Sequence, residues 1–266
     1  MKNQPTYVGD NRILLWTKNN YKMFVDARDV SIAPHLILES VYEEHTDAVL
    51  RRIVKPGMRV LEIGANVGLF TLLMSHIVGT AGAVLAFECD PVLAQILRDN
   101  VELNGFQRTT SVDERAVSDT EGTLRFYAAQ RHRGGGTLVA GLQQIPELVQ
   151  SERREIEVSS TTADRILAEH PAGFNFVKID AEGAEAAIVR GGERLFADHS
   201  RPLRVMLEFA PRFMAQAGAD PGAFLGDLSA WGFRFERIDA RRRKLVPASR
   251  EALLADEFAD IVLTRG

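Results

Sequence analysis

The chain has 266 residues, 45% of them hydrophobic and 26% charged, enough apolar material for one large or two small soluble domains. Lys and Arg total 32 against 36 Asp and Glu, a net charge of −4 that argues against a duplex-DNA binder, which carries a basic face. The single cysteine, Cys89, excludes an internal disulfide, and no Cys/His set has zinc-ligand spacing.

The first residues lack the apolar core of a secretory signal. The most apolar run, 69–79, carries His76 and falls short of the roughly 20 residues of a membrane span. The reading is a soluble cytoplasmic protein with no membrane partner. Two β-rich runs, 12–17 (RILLWT) and 21–27 (YKMFVDA), flank Lys18-Asn19-Asn20 and predict a hairpin. A helical pattern over 38–54 follows and stops before Lys55-Pro56-Gly57.

From Met58 onward strands and helices alternate. Strands are predicted at 58–63, 83–89, 110–117, 174–180, 203–209, 233–238 and 260–264, several of them continuous apolar runs suited to burial on both faces. Helices are predicted at 67–77, 91–103, 185–196 and 221–231. The alternation specifies an α/β fold with a seven-stranded, mostly parallel sheet and helices on both faces. Residues 1–54 read as a hairpin-and-helix extension, and 55–266 as one domain with an insertion at about 130–155. Insertions rich in glycine often bind or cover ligands, and a solvated loop is the plain alternative.

The chemistry concentrates where residues 58–63 run into Gly64-Ala65-Asn66-Val67-Gly68. Glycines there let a ligand approach the backbone, and the following helix offers free amides. Glu88, twenty residues after Gly68, ends the next strand, where a carboxylate accepts hydrogen bonds from ribose hydroxyls. Asn66 interrupts a dinucleotide fingerprint, and Glu62 would repel a pyrophosphate but pair with a cationic amino-acid ligand. These departures favour S-adenosylmethionine (SAM) over NAD.

With these residues in view, 61–69 and Phe87-Glu88-Cys89-Asp90-Pro91 resemble the SAM site of class I methyltransferases. Val177-Lys178-Ile179-Asp180-Ala181-Glu182-Gly183-Ala184-Glu185 resembles the K-I-D-x-E-G-x-E signature of the FkbM family, whose fold is Rossmann-like. The segments 100–105 (NVELNG) and 116–119 (AVSD), and Tyr42-Glu43 ahead of Pro56-Gly57, are similar to the same family. The resemblance covers about 40–210 and implies SAM-dependent O-methylation of sugars, polyketides and other natural products. It implies that Glu62, Gly64, Asn66 and Gly68 hold the methionine and ribose portions of SAM. Glu88 would hold the ribose diol with Asp90 beside it, and Ala116 and Val117 would flank the adenine. Arg115 stands where many class I enzymes place an acid.

Methyl transfer from a sulfonium is largely a matter of positioning, but an alcohol with a pKa of roughly 15–16 also needs its proton removed or its oxygen polarised. Asp180, Glu182 and Glu208, at or just beyond predicted strand ends, are the candidate catalytic acids and bases. His132 in the insertion is a further candidate base, and His45 is next. Asp180 and Glu208 also suit Mg²⁺, should the reaction use a metal. Glu182 and Glu185 have an ordinary alternative role, because acids favour helix N-termini. Arg131, Arg133, Arg153 and Arg154 are placed either to hold an anionic part of the acceptor or to be solvated. The expected partner is a small, carbohydrate-containing acceptor and no nucleic acid. RNA methylation and a non-catalytic SAM-binding scaffold are the rival readings, and oligomeric state is not legible.

Overall fold

A computed structural model describes residues 4–140 and 152–265. The chain opens with β1 (Thr6–Gly9), β2 (Arg12–Trp16) and β3 (Lys22–Asp26), an antiparallel sheet in that order. β2 and β3 are the expected hairpin, and β1 adds a strand to it. α2 (Glu44–Ile53) lies within the helix predicted over 38–54, whereas α1 (Ile32–Glu39) lies mostly before it and only its end enters that span. The helix is interrupted at Ser40 and Glu43, whose φ angles of 61° and 46° leave the right-handed region.

The chain then alternates through β4 (Arg59–Ile63), α3 (Leu69–Val78), β5 (Ala83–Phe87), α4 (Pro91–Leu103) and β6 (Thr110–Asp113). The predicted strand over 110–117 is divided. Asp113 Oδ1 accepts the Arg115 N–H at 2.8 Å, and the chain turns out into a second sheet. That sheet is made of β7 (Ala116–Ser118), β8 (Gly122–Ala129) and β9 (Arg153–Thr162), in the order β7-β9-β8. Of the expected insertion, residues 141–151 lie outside the described residues. α5 (Ala163–Glu169) leads back into β10 (Phe176–Ile179). α6 (Glu185–Arg190) and α7 (Glu193–Ala197) replace the single predicted helix over 185–196, divided at Gly191-Gly192. β11 (Leu203–Phe209), α8 (Pro211–Gln216), α9 (Pro221–Ala230), β12 (Arg234–Asp239), β13 (Lys244–Pro247), α10 (Arg250–Ala255) and β14 (Ala259–Arg265) complete the chain.

The main sheet has eight strands in the order β13-β12-β14-β11-β10-β4-β5-β6. The eighth, β13, forms because the arginine turn before Lys244, with Arg243 at φ 49°, folds the chain back onto β12. β6, β5, β4, β10 and β11 are parallel, while β14 runs antiparallel to β11 and β12. This is the expected Rossmann-like α/β architecture. Period-2 alternation sends Leu61, Ile63, Val177 and Ile179 to one face, against α5, α6, α7 and α9. It sends Val60 and Phe176 to the other, against α1, α2, α3 and α4, together with Leu15, Met23 and Val25 of the first sheet. From β4 the chain winds outward to β5 and β6, and from β10 to β11 in the other direction. A crevice therefore opens at the carboxyl ends of β4 and β10.

Two asparagines join the first sheet to this frame. Asn100 is fully buried on α4; its Oδ1 accepts the Phe24 N–H at 2.7 Å, and its Nδ2 donates to the carbonyls of Phe24 and Val67 at 3.0 and 2.8 Å. Asn104, one turn later, accepts from Lys22 N–H at 3.1 Å and donates to Lys22 O at 2.7 Å. Helix positions four apart rise about 6 Å, and strand positions two apart about 6.6 Å, so the two amides match the free edge of β3. They do the work of a neighbouring strand. Replacing Asn100 with Ala orphans three backbone groups and is expected to cost about 3 kcal/mol in urea unfolding. Asn104→Ala, at a partly buried position, is expected to cost about 1 kcal/mol or less. Equal losses at the two sites would contradict this account.

Candidate active site

The crevice is a cleft of about 1140 Å³ including its open mouth, lined by residues of the β4, β5, β10 and β11 ends, the α1–α2 junction and the segment after β8. Gly64, at φ 81°, leaves β4 under the end of β10. A Cβ there would lie 1.7 Å from the Asp180 carbonyl oxygen, so only glycine allows the approach. The N–H groups of Gly64 and Ala65 donate to Phe87 O at 2.9 and 3.0 Å, which fastens the loop to β5. Gly68, at φ 89°, caps α3; a Cβ there would lie 2.4 Å from a Leu97 side-chain carbon, and Gly68 is not among the residues lining the cleft.

Glu88 is buried on the cleft wall. Its Oε2 accepts the Asn66 N–H and its Oε1 the Asp90 N–H, each at 2.8 Å. Burial pushes its carboxyl up to about 7 against those two hydrogen bonds. Asp90 itself does not line the cleft: it caps α4, accepting from Val92 N–H at 2.8 Å and Leu93 N–H at 3.4 Å. Ala116 and Val117 do line the cleft, as does Arg115. The Arg115 guanidinium is already engaged by Asp113 and Glu169 at 2.7 and 2.9 Å and lies 5.8 Å from the Phe87 ring.

Glu62 is wholly buried at the cleft floor. It accepts from Thr71 Oγ1 at 2.6 Å, and burial raises its carboxyl to about 7 despite the nearby Lys178. Lys178 stands beside Glu62 in register and 2.8 Å from Asp180 Oδ2. Burial works against its charge, but Asp180 and Glu62 outweigh that and keep the ammonium protonated.

Carboxylate oxygens of Asp180, Glu182 and Glu208 lie within 4.8 Å of one another on the cleft wall. Burial, and then the charge of Asp180, pushes Glu182 well above the ordinary range; for Glu208 the causes are burial and then Glu182. Glu185 turns away to accept N–H bonds from Ala181 and Gly183 at 3.0 and 3.3 Å, holding the loop that presents Glu182. Glu182 is held at φ 47°, and its carbonyl accepts from Thr137 Oγ1 at 2.7 Å.

The structure thus brings Glu62, Gly64, Asn66, Glu88, Ala116, Val117, Asp180, Glu182 and Glu208 around one cleft. It does not bring His132 there. That side chain is exposed and absent from the lining, while the next side chain, of Arg133, is buried and lines the cleft. His45 is 3.4 Å from Asp260 and also absent from the lining. Arg131 and Arg154 are exposed, and Arg153 is partly buried, where burial lowers its proton affinity and the charge of Glu182 only partly offsets that. Tyr42 and Glu43 are lining residues whose role the sequence pattern did not disclose. Burial and then Asp180 raise the Glu43 carboxyl, and burial and then Glu43 raise the Tyr42 hydroxyl. Their signal was the local motif, but only the break between α1 and α2 turns it toward β10.

The protein is 30% identical over 177 residues to "31-O-demethyl-FK506 methyltransferase FkbM" of Streptomyces tacrolimicus, covering 58% of this chain and 66% of that protein. It is 35% identical over 66 residues to "Ribosomal protein L11 methyltransferase" of Chloroflexus aurantiacus, 25% of this chain and 20% of that one. It is 25% identical to "Methyltransferase sdnD" of Sordaria araneosa over 60% of this chain and 69% of that one. The chain thus spans just under two thirds of the first relative and a fifth of the second. Among solved structures, the methyltransferase FkbM of Methylobacillus flagellatus KT superposes with a TM-score of 0.46 at 12% identity, covering 82% of this chain and 50% of that one. The family described as "Methyltransferase FkbM domain" matches residues 62–235, from Glu62 near the end of β4 to the start of β12, and the chain belongs to that family.

Proposed function

We propose that the protein is a SAM-dependent O-methyltransferase acting on a hydroxyl of a small polyhydroxylated molecule, a sugar or glycosylated natural product, in the cytoplasm. Residues 55–266 would form the methyltransferase domain and 1–54 its extension. The observation that carries the reading is Glu88. Two backbone amides aim a buried carboxylate at the carboxyl edge of a parallel sheet, and each oxygen keeps acceptor capacity for a ribose hydroxyl. The cleft fits the cofactor in charge as well, since Glu62, Asp180, Glu182 and Glu208 offer carboxylates to a sulfonium and an ammonium. When bound, SAM supplies an electrophilic methyl group. The chain's own task is to align the acceptor oxygen and take its proton. Glu182 and Glu208, whose proton affinity is raised, suit the acceptance of that proton, and Asp180 beside them stabilises its arrival. Tyr42 and Thr137 add hydroxyls to the wall, in keeping with a hydroxyl-rich acceptor. The net charge of −4 weighs against RNA, and no helix among the described residues is long and apolar enough to cross a membrane.

A second reading of the carboxylate cluster is a Mg²⁺ ion held by Asp180 and Glu208, favoured by the 4.8 Å grouping of hard oxygen atoms. It would polarise the acceptor hydroxyl in place of a free base.

Calorimetry is expected to show S-adenosylhomocysteine (SAH) binding and no NAD binding. Glu88→Ala should weaken SAH by about 10–100-fold; unchanged affinity would refute the ribose assignment. Glu62, Glu88 and Glu185 stand near 7 in the folded protein against an ordinary 4.5. Folding therefore favours their protonated forms, and the stability they contribute is full below 4.5 and lost as pH rises through 7. The Tm of the ligand-free protein should fall from about pH 5.5 to about pH 8, while SAH, which needs an ionised Glu88, binds more tightly. A Tm that rises over that interval would contradict the burial of these carboxyls.

With radiolabelled SAM and a panel of sugars, Asp180→Asn should retain SAH binding and lose about 10²–10⁴-fold in turnover. Loss on chelation with recovery on Mg²⁺ selects the metal reading. Turnover on structured RNA alone, or on no acceptor, would overturn the proposal in favour of an RNA enzyme or a scaffold.

A further inference from the structure

Arg133 is a buried cation that the proposed reaction does not use. It is 5% exposed, and it lines the cleft from the segment that follows β8. Its backbone N–H donates to Asp29 Oδ1 at 3.0 Å, the next N–H, of Gly134, donates to Ser31 Oγ at 3.2 Å, and Val30 N–H donates to Arg131 O at 2.8 Å. These bonds fasten the segment to the chain between β3 and α1. The guanidinium then spans two carboxylates, Nη2 lying 2.9 Å from Asp26 Oδ2 and Nη1 3.5 Å from Asp90 Oδ2. The carbonyl of Arg133 also accepts from Asn66 Nδ2 at 3.5 Å.

Asn66 and Asp90 are the two residues whose backbone N–H groups hold the oxygens of Glu88. Arg133 therefore touches both arms of the clamp on that carboxylate, one through its guanidinium and one through its carbonyl. Both ends of the guanidinium are already paired with carboxylates, which removes Arg133 from the arginines available to grip an anionic acceptor. We infer that Arg133 is a positioning residue for Glu88, acting through Asn66 and Asp90. Through Asp26 and Asp29, the N-terminal extension is then a working part of the cofactor site and not only a cover for the core. A buried pair between two elements resists displacement, because breaking it leaves an uncompensated charge.

This inference rests on the SAM reading above, and a ligand pair separates the two. The ligands are SAH and 2′-deoxy-SAH, which lacks one of the ribose hydroxyls. The wild-type protein should bind the deoxy ligand about tenfold more weakly. Arg133→Lys keeps the charge but cannot span both carboxylates. It should bind SAH at least about tenfold more weakly and discriminate between the two ligands by less than about threefold. Asp26→Asn, with little change of shape, removes the carboxylate that pairs with Arg133 and, at the surface, with Arg28; it should shift both quantities in the same direction, and it carries the test if Arg133→Lys does not fold. Equal loss of affinity for both ligands, or none, would mean that Arg133 only braces the fold, and would overturn the inference while the SAM reading stands. A wild-type protein that binds neither ligand would overturn both.

Discussion

The site depends on how closely two strand ends approach. Gly64, leaving β4, lies so near the Asp180 carbonyl at the end of β10 that no side chain fits between them. The chain splits its winding at these same two strands, so the contact sits at the switch point of the sheet. It sets the glycine loop and the carboxylate cluster as neighbours. A wider separation would leave a glycine loop and an acidic loop as separate features.

The second constraint is electrostatic. The cleft collects Glu43, Glu62, Glu88, Asp180, Glu182 and Glu208, with Lys178 buried among them. Burial, and after it this crowding, raises the proton affinities of Glu43, Glu62, Glu88, Glu182 and Glu208, at a cost to the ligand-free protein. A cationic ligand would relieve it. Stability and ligand binding are then expected to respond to pH in opposite senses, because the same protons are involved.

The extension is integrated by polar contacts as much as by apolar ones. Leu15, Met23 and Val25 join the core beneath α3 and α4. Asn100 and Asn104 complete the edge of β3, and Asn100 also reaches Val67 in the glycine loop. Arg133 ties Asp26 to Asp90. Strand β3 is therefore joined to the glycine loop and its neighbours by two short polar paths.

Much of this was legible in the residues. The continuous apolar strands announced a parallel sheet, Gly64 and Gly68 announced a tight turn, and the spacing to Glu88 announced an acid at the end of the next strand; these are local signals carried by period and residue type. The capping role of Asp90 was equally local, since Asp-Pro opens a helix, but it competed with a ligand role that the structure does not support by placement. The eighth strand, the division of 110–117 and the break in 38–54 were hidden, because each turns on one residue with an unusual backbone angle or an Asx turn. His132 and Arg133 show the limit most sharply. They are adjacent and both polar, yet one is exposed and the other is buried between two carboxylates, Asp26 and Asp90, that stand far earlier in the chain. The sequence by itself determined the fold class, the glycine loop and the acids at strand ends, because those follow from hydrophobic period and strand termini. Which acids face one another, which arginine is paired and what clamps Glu88 were decided only by the tertiary structure, since those contacts join segments that no local pattern relates.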